Sequence, residues 1–416
     1  TGFRKISAYI KSIHQNTKIA YIPTFCKGSW VNKILRRTKV NFGDNNIHQV
    51  AQWMAKGDIA AFCSMTQSSS NVYKIIDEVR RLNPNSYIMW GGIHAIVEPE
   101  DAIKHADAVC TGEGEFAFKT FLELFKKGED YTTAPSFWFN KDNKIVKNRN
   151  LPLMTPKQMD ELPPLTYEDG ETVYQRGKGF IPLNYNSIIN YVGLSYGTIW
   201  SIGCPLHCTY CGNTKFIEYD SGYRRLRHSS PRTIVDEIKR AITKQPHLSV
   251  VSFYDDSFLA LPYVQLEEFC KLYKAEIKIP FAIYGVIPTY VREDKIALLL
   301  DAGMNRVRMG IQSGSDNILE FYKRPTKLHR IKEATEILNK FDVFNQFKLP
   351  VLAGLSRKSM IGNLLNRDTN ERLAGSLAGA LIAAQNGAKI IRVHDVQETV
   401  DVLSVWQACT KGITNE

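Results

Sequence analysis

No stretch of about 18 consecutive apolar residues runs through this sequence, so no membrane-spanning helix is expected. It has no basic-then-apolar leader at its start, so secretion is not expected either. The chain opens on Thr1 instead of methionine, as a fragment or a processed product does. Long lysine or arginine blocks are missing. "KILRR" and "GYRRLRH" are short and read as solvated surface, so there is no specific nucleic-acid signal. Short-period repeats and low-complexity tracts are absent. Cysteine is sparse, with eight in 416 residues. At that density and without a leader, a disulfide framework is not expected and a reducing cytoplasm is the expected location. Cys26, Cys63, Cys110, Cys270 and Cys409 are scattered through apolar or helical settings and read as small buried side chains. The other three fall within eight residues and have no fourth nearby.

What is present describes a globular α/β protein. Apolar residues make up 44% and charged residues 23%, enough for real cores. The net charge of +11, without a basic block, fits an anionic small molecule. Up to about residue 125, strand-like and helix-like patterns alternate: "KIAYIP", "HQVAQWMAKG", "DIAAFCSM", "NVYKIIDEVRRLNP", "SYIMWGG" and "ADAVCTGEG". This predicts a doubly wound, Rossmann-like domain over 1–130. Its ligand edge lies at the strand ends Ser64 to Ser70, Gly91 to His94 and Gly112 to Glu115. Residues 131–190 read as a hairpin, "FWFNKDNKIVKN", and a Pro-rich acidic linker. From Tyr191 the alternation resumes for six strand–helix units, which predicts a partial (β/α)6 TIM-like barrel.

Cys204, Cys208 and Cys211 lie just after the strand "GTIWSIG", where barrel enzymes place their chemistry. Three thiolates at this spacing suit a cubic iron–sulfur cluster with one iron left open. A structural zinc completed by His207 or a remote residue, or three free thiols, fits the spacing as well. The pattern Cys-x3-Cys-x2-Cys, with Tyr210 before the last cysteine, closely resembles the radical S-adenosylmethionine enzymes. The resemblance implies a [4Fe-4S] cluster whose open iron chelates S-adenosylmethionine and whose electron releases a 5′-deoxyadenosyl radical. It also implies a reducing partner such as flavodoxin or ferredoxin. In that family Asp255 and Asp256 of "SFYDDSF" match the contact to the methionine amino group. Gln312 and Ser313 of "GIQSGSD" match the ribose contact, Arg324 matches a basic position further on, and Tyr210 belongs to the same S-adenosylmethionine set. A solvated turn is the plain alternative for the two aspartates.

The front of the chain resembles the cobalamin-binding domain found ahead of such barrels, through "GGIHAIVEPEDAIKHADAVCTGEGE". The resemblance implies cobalamin at Ser64, Thr66, Gly91, Gly92, Gly112 and Glu113, with glycines that let backbone approach a flat ligand. The Asp-x-His-x-x-Gly of histidine-ligating members is missing, since the corresponding stretch is "PTFCKGSW". His94 is a candidate cobalt ligand or a polar surface residue, and the glycine pairs are also ordinary tight turns.

After about Leu338, "FKLPVLAGLSRKSMIGNLL" and "ERLAGSLAGALIAAQNGAKIIRVHDVQETV" closely resemble the carboxyl-terminal quarter of dihydropteroate synthase. The resemblance implies pterin contact by Lys358, p-aminobenzoate contact by Ser359, and diphosphate contact by Arg392 and His394. The front of that family has no counterpart here. The expected organisation is a radical S-adenosylmethionine barrel portion over 191–338 and a dihydropteroate synthase portion over 339–416, joined near "EILNKFDVFNQF". Three functions follow as expectations: a cobalamin-dependent radical S-adenosylmethionine enzyme acting, by methyl transfer for instance, on a small molecule that the sequence does not identify; a folate-pathway fragment or fusion; or a non-catalytic corrinoid-binding chimera.

Overall fold

The computed structural model describes residues 2–23, 42–165, 167, 170–340, 352–385 and 388–411. Cys26, the "PTFCKGSW" loop beyond Pro23, "KILRR" and the junction after Lys340 lie outside the described residues. The chain divides into two compact units, Thr1–Val286 with Ala297–Met309, and Ile287–Ile296 with Gly310–Glu416.

In the first unit, strands β2 (Ile59–Cys63), β3 (Tyr87–Gly91) and β4 (Ala108–Cys110) run parallel. Strand residues alternate between two cores. Ile88 and Trp90 join Phe62, Val109 and the helix Ser69–Leu82 on one face, and Met89 joins the helix Gly114–Lys127 on the other. The helix Ser69–Leu82 buries Val72, Ile75, Ile76 and Val79, the one-sided stripe its periodicity predicts. The expected hairpin forms as β5 (Phe137–Lys141) and β6 (Lys144–Lys147). Its two turn residues, Asp142 and Asn143, both take positive φ (52° and 59°), whose twist matches the flanking strands. β5 pairs antiparallel with β4 and so extends the front sheet.

The strand expected at "KIAYIP" differs. β1 (Ala20–Tyr21) pairs with β7 (Thr172–Gln175), which continues to β8 (Gly179–Pro182). The Ile19 carbonyl accepts from the Thr172 amide (2.9 Å) and hydroxyl (3.1 Å), so this segment's bonding groups are committed to β7 and not to β2.

A second parallel sheet of the same unit has the order β14-β13-β12-β9. Its strands are β9 (Ser195–Thr198), β12 (Val250–Phe253), β13 (Phe281–Val286) and β14 (Met304–Met309), with the short ribbon β10 (Ser201–Ile202) and β11 (Arg227–His228) beside the first. The helix Pro231–Lys244 starts on a Ser230 cap with proline at its first turn and buries Ile234, Val235, Ile238 and Ala241. Phe253, Phe269, Tyr273 and Phe281 form the aromatic core between the sheet and the helix Tyr263–Glu276.

In the second unit, β15 (Leu352–Ala353) and β16 (Ile390–Ile391) form a parallel pair of their own. The six-stranded arc expected from sequence therefore stands, among the described residues, as ladders of four and two, and no closed barrel forms. The tail exposes apolar side chains: Leu364 is 83% accessible, Val405 65% and Val396 58%. The apolar helix Leu373–Gln385 buries only Ser376 and Ala380. No helix among the described residues is long and apolar enough to cross a membrane.

Candidate functional site

The cysteine loop is held by its backbone. Gly203 takes φ +113°, where a Cβ would stand 2.5 Å from the Arg225 carbonyl and 2.8 Å from that of Tyr223. The Cys204 amide donates to the Tyr223 carbonyl (3.0 Å), and the Ser257 hydroxyl donates to the Gly203 carbonyl (3.2 Å). The Cys208 carbonyl accepts from the Cys211 amide (3.0 Å) and the Thr214 hydroxyl (2.7 Å). Gly203→Ala is expected to lower iron incorporation about 10-fold or more, as loss of an orienting outer contact does at metal sites. Iron per chain after anaerobic reconstitution is the measurement, and wild-type iron content would refute the requirement.

Cys204 and Cys208 are buried and Cys211 half-buried. Burial pushes the Cys204 thiol up to about 11, and Asp256, Cys211 and Cys208 add to the rise. Such thiols ionise against a bound cation and not against water. Among the described residues no three His, Cys, Asp or Glu side chains are gathered closely enough to share one ion. A cluster asks for something different, since each thiolate takes its own iron. Three thiols in one loop, none in a disulfide, supply donors of the type that demand calls for. Tyr210, between the second and third cysteines, is exposed.

The paired aspartates have separate surroundings. Asp255 is buried and accepts from the Ser201 amide and hydroxyl (both 2.6 Å) and the Trp200 amide (3.2 Å). It therefore holds the segment that leads into Gly203. Asp256 instead lines the large cavity described below, together with Cys204 and Asn213. Burial raises its pKa and a hydrogen bond with Asn213 opposes the rise. Gly285, at φ +65°, clears the way for this turn, because a Cβ there would run into the Asp255 carbonyl and lie 2.9 Å from the Asp256 carbonyl.

Burial pushes Asp255 up to about 6, against the hydrogen bonds from Ser201 and Trp200. Because the folded value lies above the unfolded value of 3.8, the folded state holds this proton more tightly. The resulting stability is full below pH 4 and is lost as pH rises through 6. Two pKa steps amount to about 3 kcal/mol. The stability of wild type relative to Asp255→Asn is expected to fall by that order between pH 4 and pH 7.5 in urea titrations. Parallel pH profiles would count against it.

Ser64, Gly91, Gly92, Gly112 and Glu113 border one cavity of about 1260 Å3, and Gly203, Cys204, Asn213 and Asp256 border the same cavity. Gly92 takes φ +89°, and a Cβ there would meet the Cys63 sulfur at 2.8 Å and the Ser64 backbone at 2.9 Å. The volume exceeds the roughly 300–1,000 Å3 of ordinary small-molecule sites. A large flat ligand such as a corrinoid fits a wall that glycine keeps low. Thr66 is not among the lining residues, and the Ser64 hydroxyl accepts from the Trp90 indole (3.0 Å). The Glu113 carboxylate is engaged by Arg227 (2.8 and 3.2 Å) and the Met154 amide (2.7 Å). His94 is buried against Trp90, its Nε2 is 3.2 Å from the Tyr73 hydroxyl, and it does not line the cavity. The reading of His94 as a polar surface residue is corrected, because the short helix Ile93–Val97 turns it inward.

Sequence reasoning missed Arg4, Arg227 and Glu237. Arg4 is buried, donates to the Leu165 carbonyl (2.8 Å) and the Gly197 carbonyl, and lies over Tyr167 and Tyr196. Glu237 accepts from Thr198 (2.6 Å), Tyr196 (3.0 Å) and the Leu165 amide (3.2 Å). Arg227 belongs to the "GYRRLRH" run expected to be solvated surface, and its side chain is instead 11% exposed and paired with Glu113.

In the second unit, Arg324 donates to the Gly310 carbonyl (2.7 Å), and the Ser313 hydroxyl accepts from the Ser315 amide (3.1 Å). Gln312, at φ +69°, turns its amide back toward Gly310. The structure thus gathers Gln312, Ser313 and Arg324 around one glycine. In the tail, His394 Nδ1 lies 3.0 Å from the Ser356 hydroxyl, and the Arg392 guanidinium packs against Gly354. Lys358 is exposed and precedes the helix Ser359–Leu365, and the Ser359 side chain lies outside the described residues. Arg357 pairs with Asp395 and holds its carboxyl below the usual range.

Comparison with known proteins places these features. Residues 4–122 match the B12 binding domain and residues 198–361 the radical SAM superfamily. Dihydropteroate synthase of Haemophilus influenzae is 59% identical over 73 residues, which are 18% of this chain and 26% of that protein. The chain thus spans about a quarter of the length of that relative. Cytidylyl-2-hydroxyethylphosphonate methyltransferase of Streptomyces wedmorensis is 24% identical over 391 residues, covering 87% of this chain and 71% of that protein. The cobalamin-dependent S-adenosylmethionine radical enzyme OxsB, solved with aqua-cobalamin and S-adenosylmethionine bound, shares the fold. Its TM-score is 0.61 at 16% identity, over 98% of this chain and 52% of that one. The chain therefore carries a B12 binding domain followed by a radical SAM domain, and it ends in a short stretch similar to dihydropteroate synthase.

Proposed function

We propose that the chain is a cobalamin-dependent radical S-adenosylmethionine methyltransferase. One observation carries this: a single cavity reaches from the glycine-ended strand tips of the B12 binding domain to Cys204, Asn213 and Asp256. When bound, the cluster supplies the electron that breaks the C–S bond of S-adenosylmethionine, and cobalamin supplies the methyl carrier. The protein's part is placement. Cys204, Cys208 and Cys211 hold three irons. Asp256 accepts from the methionine ammonium, while Asp255 keeps Trp200 and Ser201 in register so that Gly203 delivers Cys204. Gln312, Ser313, Arg324 and Tyr210 are assigned to S-adenosylmethionine on their motif match. Ser64, Gly91, Gly92 and Gly112 are assigned to the corrinoid. Methyl transfer is supported by the name of the Streptomyces wedmorensis relative. A flavodoxin or ferredoxin is the electron source of the right kind, and the cytoplasm the right compartment.

The test is anaerobic reconstitution with iron, sulfide and hydroxocobalamin, followed by S-adenosylmethionine and a reductant. Bound iron, bound corrinoid and cleaved S-adenosylmethionine are expected. Protein that stays colourless and iron-free refutes the proposal, and bound corrinoid without iron supports the non-catalytic binder instead.

The tail does not make the chain a dihydropteroate synthase. Lys358, Arg392 and His394 supply part of a pocket, and proximity of two substrates is what such an enzyme provides. An assay with the pterin diphosphate and p-aminobenzoate is expected to show no turnover above a Lys358→Ala control. Turnover that this substitution abolishes would overturn the expectation.

A further inference from the structure

The sheet of β9, β12, β13 and β14 has two faces of different chemistry. One packs on helices: Phe253 and Phe281 meet Phe269 and Tyr273, while Tyr196 and Thr198 bond Glu237. Alternation puts Ser195, Gly197, Ser252, Tyr254, Ala282 and Tyr284 on the opposite face. Ala282 pairs with Arg306, so Arg306 and, two residues on, Arg308 share that face.

Three observations there are independent of the cysteine loop and the corrinoid cavity. Arg306 and Arg308 are both exposed, and neither has an ion pair or hydrogen bond among the described residues. No aspartate or glutamate stands at any position of this face on the four strands. Tyr254 and Tyr284 stack with ring centres 4.8 Å apart and 14° between planes, and Tyr254 is half exposed. Gly197 makes the room, because a Cβ there would lie 2.8 Å from the Tyr254 ring. The Ser195 and Ser252 hydroxyls bond each other at 2.8 Å on the same face.

Two unneutralised arginines whose Cα positions are about 7 Å apart along a strand, next to an aromatic ledge, match an anion that carries a planar ring. We propose that this face is the substrate platform and that the substrate is nucleotide-like: a phosphate or phosphonate held by Arg306 and Arg308, with its ring against the Tyr254–Tyr284 pair. The assignment to substrate rests on the radical S-adenosylmethionine reading above. The binding chemistry does not depend on it.

Cytidine 5′-monophosphate is the probe, because its ring differs from the adenine of S-adenosylmethionine. Isothermal titration on the full chain without cluster or cobalamin measures its Kd. Arg306→Ala and Arg308→Ala are each expected to weaken binding about 10-fold, and Arg308→Lys to recover part of the loss. Cytidine and inorganic phosphate are each expected to bind more weakly than the nucleotide. The salt dependence should flatten in the double alanine variant, and circular dichroism should match wild type because both arginines are exposed. Binding that is absent, or equal in the double variant, overturns the proposal. So does a parallel loss of S-adenosylmethionine affinity in cluster-loaded protein, since the arginines would then serve that carboxylate. A chain that binds the nucleotide but takes up no iron leaves the platform standing and removes the enzyme reading. The converse result removes only the platform.

Discussion

Cys208→Ala protein, reconstituted anaerobically, is expected to lose the broad visible absorption of an iron–sulfur cluster and more than about 100-fold of its S-adenosylmethionine cleavage. Losing an outer contact at a metal site costs about 10–100-fold, and losing a ligand costs more. Cys208 is the sharpest of the three positions to test, because the loop uses its carbonyl to receive Cys211 and Thr214. Alanine keeps those two bonds and removes the sulfur. The loss is then of iron and not of fold. Cys270 is the matched control. It is buried in the helix Tyr263–Glu276, and burial pushes its thiol up to about 12. Cys270→Ala should keep the absorption. Full iron content and undiminished cleavage in the Cys208 variant would end the cluster assignment.

Arg227→Ala is expected to lower stability by about 1.5–3 kcal/mol, the range for hydrogen bonds to a charged group, because it takes two of the three donors from a part-buried carboxylate. Arg227 and Glu113 have only 11% and 14% of their side chains exposed, and their contact is bidentate. After the substitution Glu113 keeps a single donor, the Met154 amide. The double variant Glu113→Gln with Arg227→Met should recover most of the loss, because it buries no unpaired charge. Urea midpoints of the four proteins measure the coupling. A single variant within about 0.5 kcal/mol of wild type, the range of ordinary surface changes, would show that the pair is dispensable. The pair also joins the tip of the front sheet to β11, the strand beside the cysteine loop. Iron uptake is therefore expected to fall together with stability in Arg227→Ala.

Glu113 shows where reading the chain alone stops. Its neighbours Gly112 and Gly114 placed it with a corrinoid, and it does border the cavity, yet its carboxylate is bound to an arginine 114 positions away. Arg4 behaves alike, with carbonyl partners 161 and 193 positions distant. Asp255 and Asp256 are adjacent in sequence, and only the path of β13 past them, with Gly285 at the crossing, turns one into the backbone and the other into the cavity.

The sequence by itself determined what is local: three thiols at ligand spacing, a two-residue turn of Asp142 and Asn143, the apolar stripe of the helix Ser69–Leu82, and the motif match of the tail. Each depends on residues within one turn or loop, where backbone geometry dictates who meets whom. Tertiary structure alone decided the pairing of β1 with β7, the burial of His94, the Glu113–Arg227 contact and the unpaired arginines beside Tyr254 and Tyr284. Those depend on which distant strands lie side by side, and strand register, with its period of two, sends a side chain to one face or the other by a single residue's shift.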